Sequence, residues 1–159
     1  MSQFPKLMNL KKISELFCTS FGIGYLPFFP GTIASIIILP VVWFIKIEFG
    51  IKILLVLIII ISILSYYFIK VLIKNHKEKD PKFIIVDEYV GQSISLILCN
   101  EKISEYLISF LLFRFFDILK PFPVSYFDKN HKNYFGIIMD DIMAGLYSMI
   151  LIYLISIKF

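Results

Sequence analysis

Seven ionisable side chains of this chain lie in or beside long apolar runs: Asp87 and Glu88, Arg114 with Asp117 and Lys120, and Asp140 with Asp141. Charge is costly to hold away from water, so residues placed like this normally mark a site where charges meet each other or a ligand. Brought together in a dry place, the carboxylates repel unless protons or a divalent ion neutralise them. Oxygen donors without a histidine or thiolate cluster suit Mg²⁺ or a related hard cation. Arg114 is the one arginine among sixteen basic residues, and its planar donor fork matches phosphate or carboxylate.

Each group also has a plainer reading. Asp140 and Asp141, neighbours about 100° apart around a helix, can both reach a cation inside a bundle, yet one acid there would merely benefit from the positive end of the helix dipole. Arg114 and Asp117 stand at i and i+3, so they share a helix face and can neutralise one another as a buried pair. Lys120 would then leave that pair with net positive charge, which an anion such as phosphate would balance. The run "PGTIAS" at 30–35 opens an apolar helix. The Gly31 and Thr32 amides there, with the Thr32 and Ser35 hydroxyls, make either an anion site or an ordinary N-cap. His131 sits in a polar loop, where solvation is the default and a proton-donor role the exception.

The elements that must position these groups are apolar. With 159 residues, 58% of them hydrophobic, and a mean hydropathy of +0.83, the chain carries more apolar surface than a soluble domain of its size can bury. It reads as one domain, residues 1–159, with an all-α fold: a small polytopic membrane bundle of about four to five segments, some short or broken. Residues 53–69, bracketed by Lys52 and Lys70, are the clearest span. The stretch 33–47 is short and interrupted by Pro40. Before it, "FGIGYLPFFPGT" is turn chemistry within apolar sequence, and irregular backbone at membrane depth has to be buried in protein or line a wet cavity. Segment 83–99 is a weak, broken span. Residues 106–119 form a helix ended by Pro121 and Pro123, 121–135 reads as a loop, and the last helix starts near Ile137 with Asp140 and Asp141 in its first turns.

Lysine placement sets the orientation. With a cytoplasmic N-terminus and five crossings, eleven lysines fall on the cytoplasmic side and four opposite, the bias expected of positive-inside topology. All three acidic clusters then lie at one depth, near the cytoplasmic face. The segment after Lys12 is not a clean apolar core with a cleavage site, so a removed signal peptide is not expected. Cys18 and Cys99 have neither metal-ligand nor disulfide spacing and read as buried small residues. The net charge of +4 comes from scattered lysines without a basic, aromatic-interleaved stripe, which argues against nucleic acid and for anionic lipid heads.

Taken together, "SFGIGYLPFFPGTIAS", "IVDEYVGQ", "FRFFDILKPFPVSYFDKN" and "GIIMDDIMAG" resemble, in order and spacing, the signature blocks of the phosphatidylglycerophosphatase A family. "FRxFDxxKPxP" followed by "GIxxDDxxAG" is the specific part. Members of that family are multi-pass, Mg²⁺-dependent lipid phosphatases of the bacterial inner membrane, which remove the terminal phosphate of phosphatidylglycerophosphate to give phosphatidylglycerol. The resemblance implies that activity, substrate, cation and location here. Two departures stand out: Ala34 replaces a glycine common in the "PGTxGS" block, and "NYFG" at 133–136 replaces a glycine-rich "GGxG".

On this footing Asp87, Glu88, Asp117, Asp140 and Asp141 are expected to hold the metal directly or to hold its ligands in place. Arg114 and Lys120 are expected to bind the terminal phosphate, helped by the Gly31–Thr32 backbone. Either water or an aspartate that becomes phosphorylated fits as the attacking group. Two other classes compete. A phosphatidyltransferase using CDP-activated lipid would need a DGxxAR run, which is absent. A small ion channel or transporter component would use intramembrane acids to conduct cations.

Overall fold

The computed structural model describes residues 4–74, 81–130 and 133–158. Its helices are α1 (Phe4–Cys18), α2 (Pro30–Ile73), α3 (Val86–Ser95), α4 (Ile103–Leu119), α5 (Val124–Asn130) and α6 (Tyr134–Lys158), with a 3₁₀ turn at Ile23–Tyr25 and no strand among the described residues. Two of the helices, α2 and α6, are long and apolar enough to cross a membrane.

α2 has 44 residues, about 66 Å of helix at 1.5 Å per residue, and it is not straight. The expected interruption at Pro40 is absent, since helical backbone continues through it. The break falls at Gly50, between the segments 33–47 and 53–69 read from the sequence, with φ 75° and ψ 171°, a conformation that glycine adopts at little cost and other residues resist. The chain folds back there. Before the break, the Lys46 ammonium donates to the carbonyls of Leu96, Ile97 and Cys99, at the C-terminal end of α3. Gly31, at the start of α2, lies against Glu88 in the first turn of α3, and Ile69 and Leu72, near its end, pack with Ile84 and Val86. Both ends of α2 therefore meet at the N-terminal end of α3, and its middle sits at the other.

The main core is built where Val42, Leu54 and Ile58 of α2 pack on Val90, Ile94 and Leu96, together with Tyr106 of α4 and Ile152 of α6. Outside it, α2 leaves Phe44, Val56, Ile59 and Ile63 largely exposed, an apolar surface well beyond what a water-soluble monomer presents. Cys18 and Cys99 are buried as expected.

α3 and α6 approach most closely at two glycines. A β-carbon on Gly145 would collide with the Gly91 carbonyl oxygen, and one on Gly91 would come within 2.6 Å of the Asp141 carbonyl oxygen. Backbone cannot swing aside as a side chain can. Gly145→Ala is therefore expected to force the helices apart, at about 1–3 kcal/mol, and to lower turnover by separating the acids they carry. Thermal unfolding and activity in detergent check this; unchanged values would mean that the two helices accept a methyl group at their crossing.

Three local features depart from the sequence expectation. The stretch 121–135 is not all loop, because α5 forms within it and packs on α6. α6 begins at Tyr134 rather than near Ile137, and the "NYFG" departure has a role: the Asn133 side-chain oxygen accepts from the amides of Phe135, at 2.9 Å, and Gly136, at 3.1 Å, as an N-cap does. The N-terminal segment forms α1, packed on α2, which the apolar pattern did not announce.

Candidate active site

Four helix ends converge at one end of the bundle: the first turns of α2 and α3, the last turns of α4 and the second turn of α6. Between them lies a cavity of about 430 Å³. Gly31 and Thr32 from α2, Asp87 and Glu88 from α3, Arg114, Asp117 and Lys120 from α4 and the residue after it, and Asp140 and Asp141 from α6 all line it. These are the nine residues singled out in the sequence. His131 lies outside the described residues.

Helix rotation divides the five acids into three groups. Asp87, Glu88 and Asp141 each offer an oxygen within 4.8 Å of the others, while Asp87 and Asp141 are 7% and 4% exposed. Asp87 Oδ1 and Glu88 Oε2 are buried with no hydrogen-bond partner in the protein. Buried acceptors without donors are expensive, and a close trio of them is more so. Asp117, whose side chain also lies within reach of Asp141, pairs with Arg114, Oδ2 lying 2.8 Å from Nη1. That contact is an ion pair by distance but lacks hydrogen-bond alignment, so the Arg114 Nε and Nη1 groups are also buried without an acceptor.

Asp140 belongs to Lys120. The Lys120 ammonium donates to Asp140 Oδ2 at 2.8 Å and to Asp128 Oδ1 of α5 at 2.5 Å. Burial alone would push this ammonium down, but the two carboxylates outweigh it and hold the group above the usual lysine range. The expectation that Lys120 leaves the Arg114–Asp117 pair with net positive charge is therefore corrected, because Lys120 is neutralised by other acids. Asp128 was missed by sequence reasoning, although it stands inside the quoted block "SYFDKN". Lys82 was missed too, since it sits in a charged loop and only the fold brings it to the cavity.

Two helix N-termini point positive ends at this space. The Gly31 and Thr32 amides, in the first turn of α2, have no intrahelical acceptor. A β-carbon at Gly31 would collide with Glu88 Oε1, so a glycine here is what lets the Glu88 carboxylate lie against that turn. The cavity thus pairs acceptors that want a cation with donors that want an anion.

Such a site defines a helical-bundle protein with acids lacking donors and a guanidinium lacking hydrogen-bond acceptors gathered in one cavity at one end of the bundle. A profile of the family "Phosphatidylglycerophosphatase A" matches residues 16–156. The chain belongs to that family, and it is a phosphatase. Phosphatidylglycerophosphatase A of Haemophilus influenzae is 36% identical over 92% of this chain and 94% of its own length. The Escherichia coli protein of the same name is 28% identical over 89% of this chain and 83% of its own. A Bacteroides thetaiotaomicron protein provisionally named a phosphatidylinositol-3-phosphatase is 37% identical over 84% of this chain and 87% of its own. No solved structure matches the chain significantly.

Proposed function

We propose that this protein removes the terminal phosphate of phosphatidylglycerophosphate to give phosphatidylglycerol, with a divalent cation, Mg²⁺, held by Asp87, Glu88 and Asp141. The observation that carries the reading is the pairing of orphaned groups in one cavity: Asp87 Oδ1 and Glu88 Oε2 without donors, and Arg114 Nε and Nη1 without an acceptor. All-oxygen donors with no histidine or thiol beside them fit a hard cation. When bound, that cation supplies charge neutralisation on the phosphoryl oxygens.

The protein's own groups do the rest. Arg114, oriented by Asp117, binds the terminal phosphate from one side, and the Gly31 and Thr32 amides offer donors from another. Lys120, held by Asp128 and Asp140, keeps those two carboxylates neutralised at the cavity wall, so that they do not repel an entering phosphate. Phosphoryl transfer asks mainly for such positioning and charge stabilisation. Diacylglycerol stays in lipid while the head group enters the cavity.

The same reading sets the protein in a bacterial inner membrane. The two arms of α2, with α3, α4 and α6, make five segments, of which α3, at 10 residues, is about 15 Å long and reaches only part of the way. The lysine bias puts the cavity at the cytoplasmic face. Membership of a phosphatase family leaves the ion-conducting alternative without support.

The test is release of inorganic phosphate from phosphatidylglycerophosphate by purified protein in detergent. Release should stop in excess chelator and return with Mg²⁺. Undiminished release in chelator would remove the metal from the proposal, and no release under any condition would remove the substrate.

A further inference from the structure

Three cations line the cavity, and two of them are engaged: Arg114 with Asp117, and Lys120 with Asp128 and Asp140. The third is Lys82. It has no ion pair or hydrogen bond through its side chain among the described residues. It is exposed, whereas the Arg114 side chain is only 16% exposed, so Lys82 stands at the mouth and Arg114 deeper in.

Its backbone is fixed on both sides. Pro81 is buried, the Ile84 amide donates to the Pro81 carbonyl at 3.0 Å, and the Ile85 amide donates to the Cys18 carbonyl at 3.0 Å. The Phe83 carbonyl fits against Gly24, where any β-carbon would collide with it, and the Phe83 ring packs on Tyr25 with centroids 5.3 Å apart. A rigid turn thus presents a flexible ammonium at the entrance of a cavity lined by five carboxylates. An anionic lipid entering there needs a cation at that point.

Resting on the function proposed above, we infer that Lys82 recognises the second phosphate of the substrate, the phosphodiester that joins the head group to diacylglycerol. The substrate has two phosphates separated by a glycerol unit. With the terminal one against Arg114 and the acyl chains in lipid, the diester is left at the mouth. A lysine serves there as a mobile point charge, where the fixed fork of arginine is not required. Lys82 is a positioning residue for binding and touches none of the reacting atoms.

Replacing an exposed side chain on a pinned turn leaves the fold intact, so Lys82→Ala isolates the effect. In mixed micelles, KM for phosphatidylglycerophosphate should rise about fivefold, the loss of one charge-assisted contact, with kcat within about twofold of wild type. Inhibition by inorganic phosphate, which mimics only the terminal group, should be unchanged, and Lys82→Arg should restore most of the KM. An unaltered KM in Lys82→Ala would refute the assignment. So would weakened inhibition by inorganic phosphate, which would place Lys82 with the terminal phosphate. If wild-type protein released no phosphate from this lipid, the underlying function would fall instead.

Discussion

Asp141→Asn should lower turnover by about 10²–10³-fold and yet leave the protein, in chelator, at least as stable as its parent. The reason is the buried trio. Asp87, Glu88 and Asp141 converge within 4.8 Å without enough protein donors to balance them, so without a cation each charge opposes the others. Removing one relieves that repulsion, by on the order of 1 kcal/mol. Mg²⁺ reverses the order, because a ligand that binds only the folded state stabilises it by mass action. Wild type should gain on addition of Mg²⁺ and the variant much less. Thermal unfolding in detergent, with chelator and with Mg²⁺, reads both effects. A variant markedly less stable than wild type in chelator would show that Asp141 is satisfied by the protein, and the metal role would be lost.

Arg114→Gln separates two roles that the sequence alone leaves entangled. If Arg114 merely neutralises Asp117, its loss strands a buried carboxylate at a cost of about 3–5 kcal/mol, and Arg114→Gln with Asp117→Asn should recover both stability and turnover. A phosphate-binding Arg114 gives a different result. The single variant stays folded but loses about 10²-fold or more in turnover, the double variant stays inactive, and Arg114→Lys recovers only part, since a point charge cannot reproduce the fork. The structure favours the second outcome, because the 2.8 Å contact with Asp117 leaves Nε and Nη1 without hydrogen-bond acceptors. Near-normal turnover in the double variant would make Arg114 structural.

Much of this site was legible because its charges violate their surroundings. An acid inside an apolar run stands out whatever the fold, and the alternation of spans with lysine-rich loops was enough to bring three acidic clusters to one level. What stayed hidden depends on rotation and distance. Sequence spacing cannot say that Asp141 turns toward Asp87 while its neighbour Asp140 turns toward Lys120, because a hundred-degree step acquires a direction only when the helix is packed. Lys82 and Asp128 were invisible for the opposite reason: charged residues in polar stretches look solvated until tertiary structure gives them partners. The reversal between segments 33–47 and 53–69 was legible from the two apolar runs, but not the residue that makes it: the turn needs a positive φ, and Gly50 supplies it.

The far end of the bundle carries its own consequence. There Lys46 ties down the carbonyls that follow α3, and Glu105 accepts from the backbone and side-chain amides of Asn100, while Val42, Leu54, Val90 and Ile152 fill the interior between that end and the cavity. A polar head group has no passage through such a plug, so it enters and leaves by one mouth. On the proposed function the enzyme is therefore sided: it would draw lipid substrate from a single leaflet and return product to the same one. On that proposal, phosphatidylglycerol in the opposite leaflet would have to be carried there by something else.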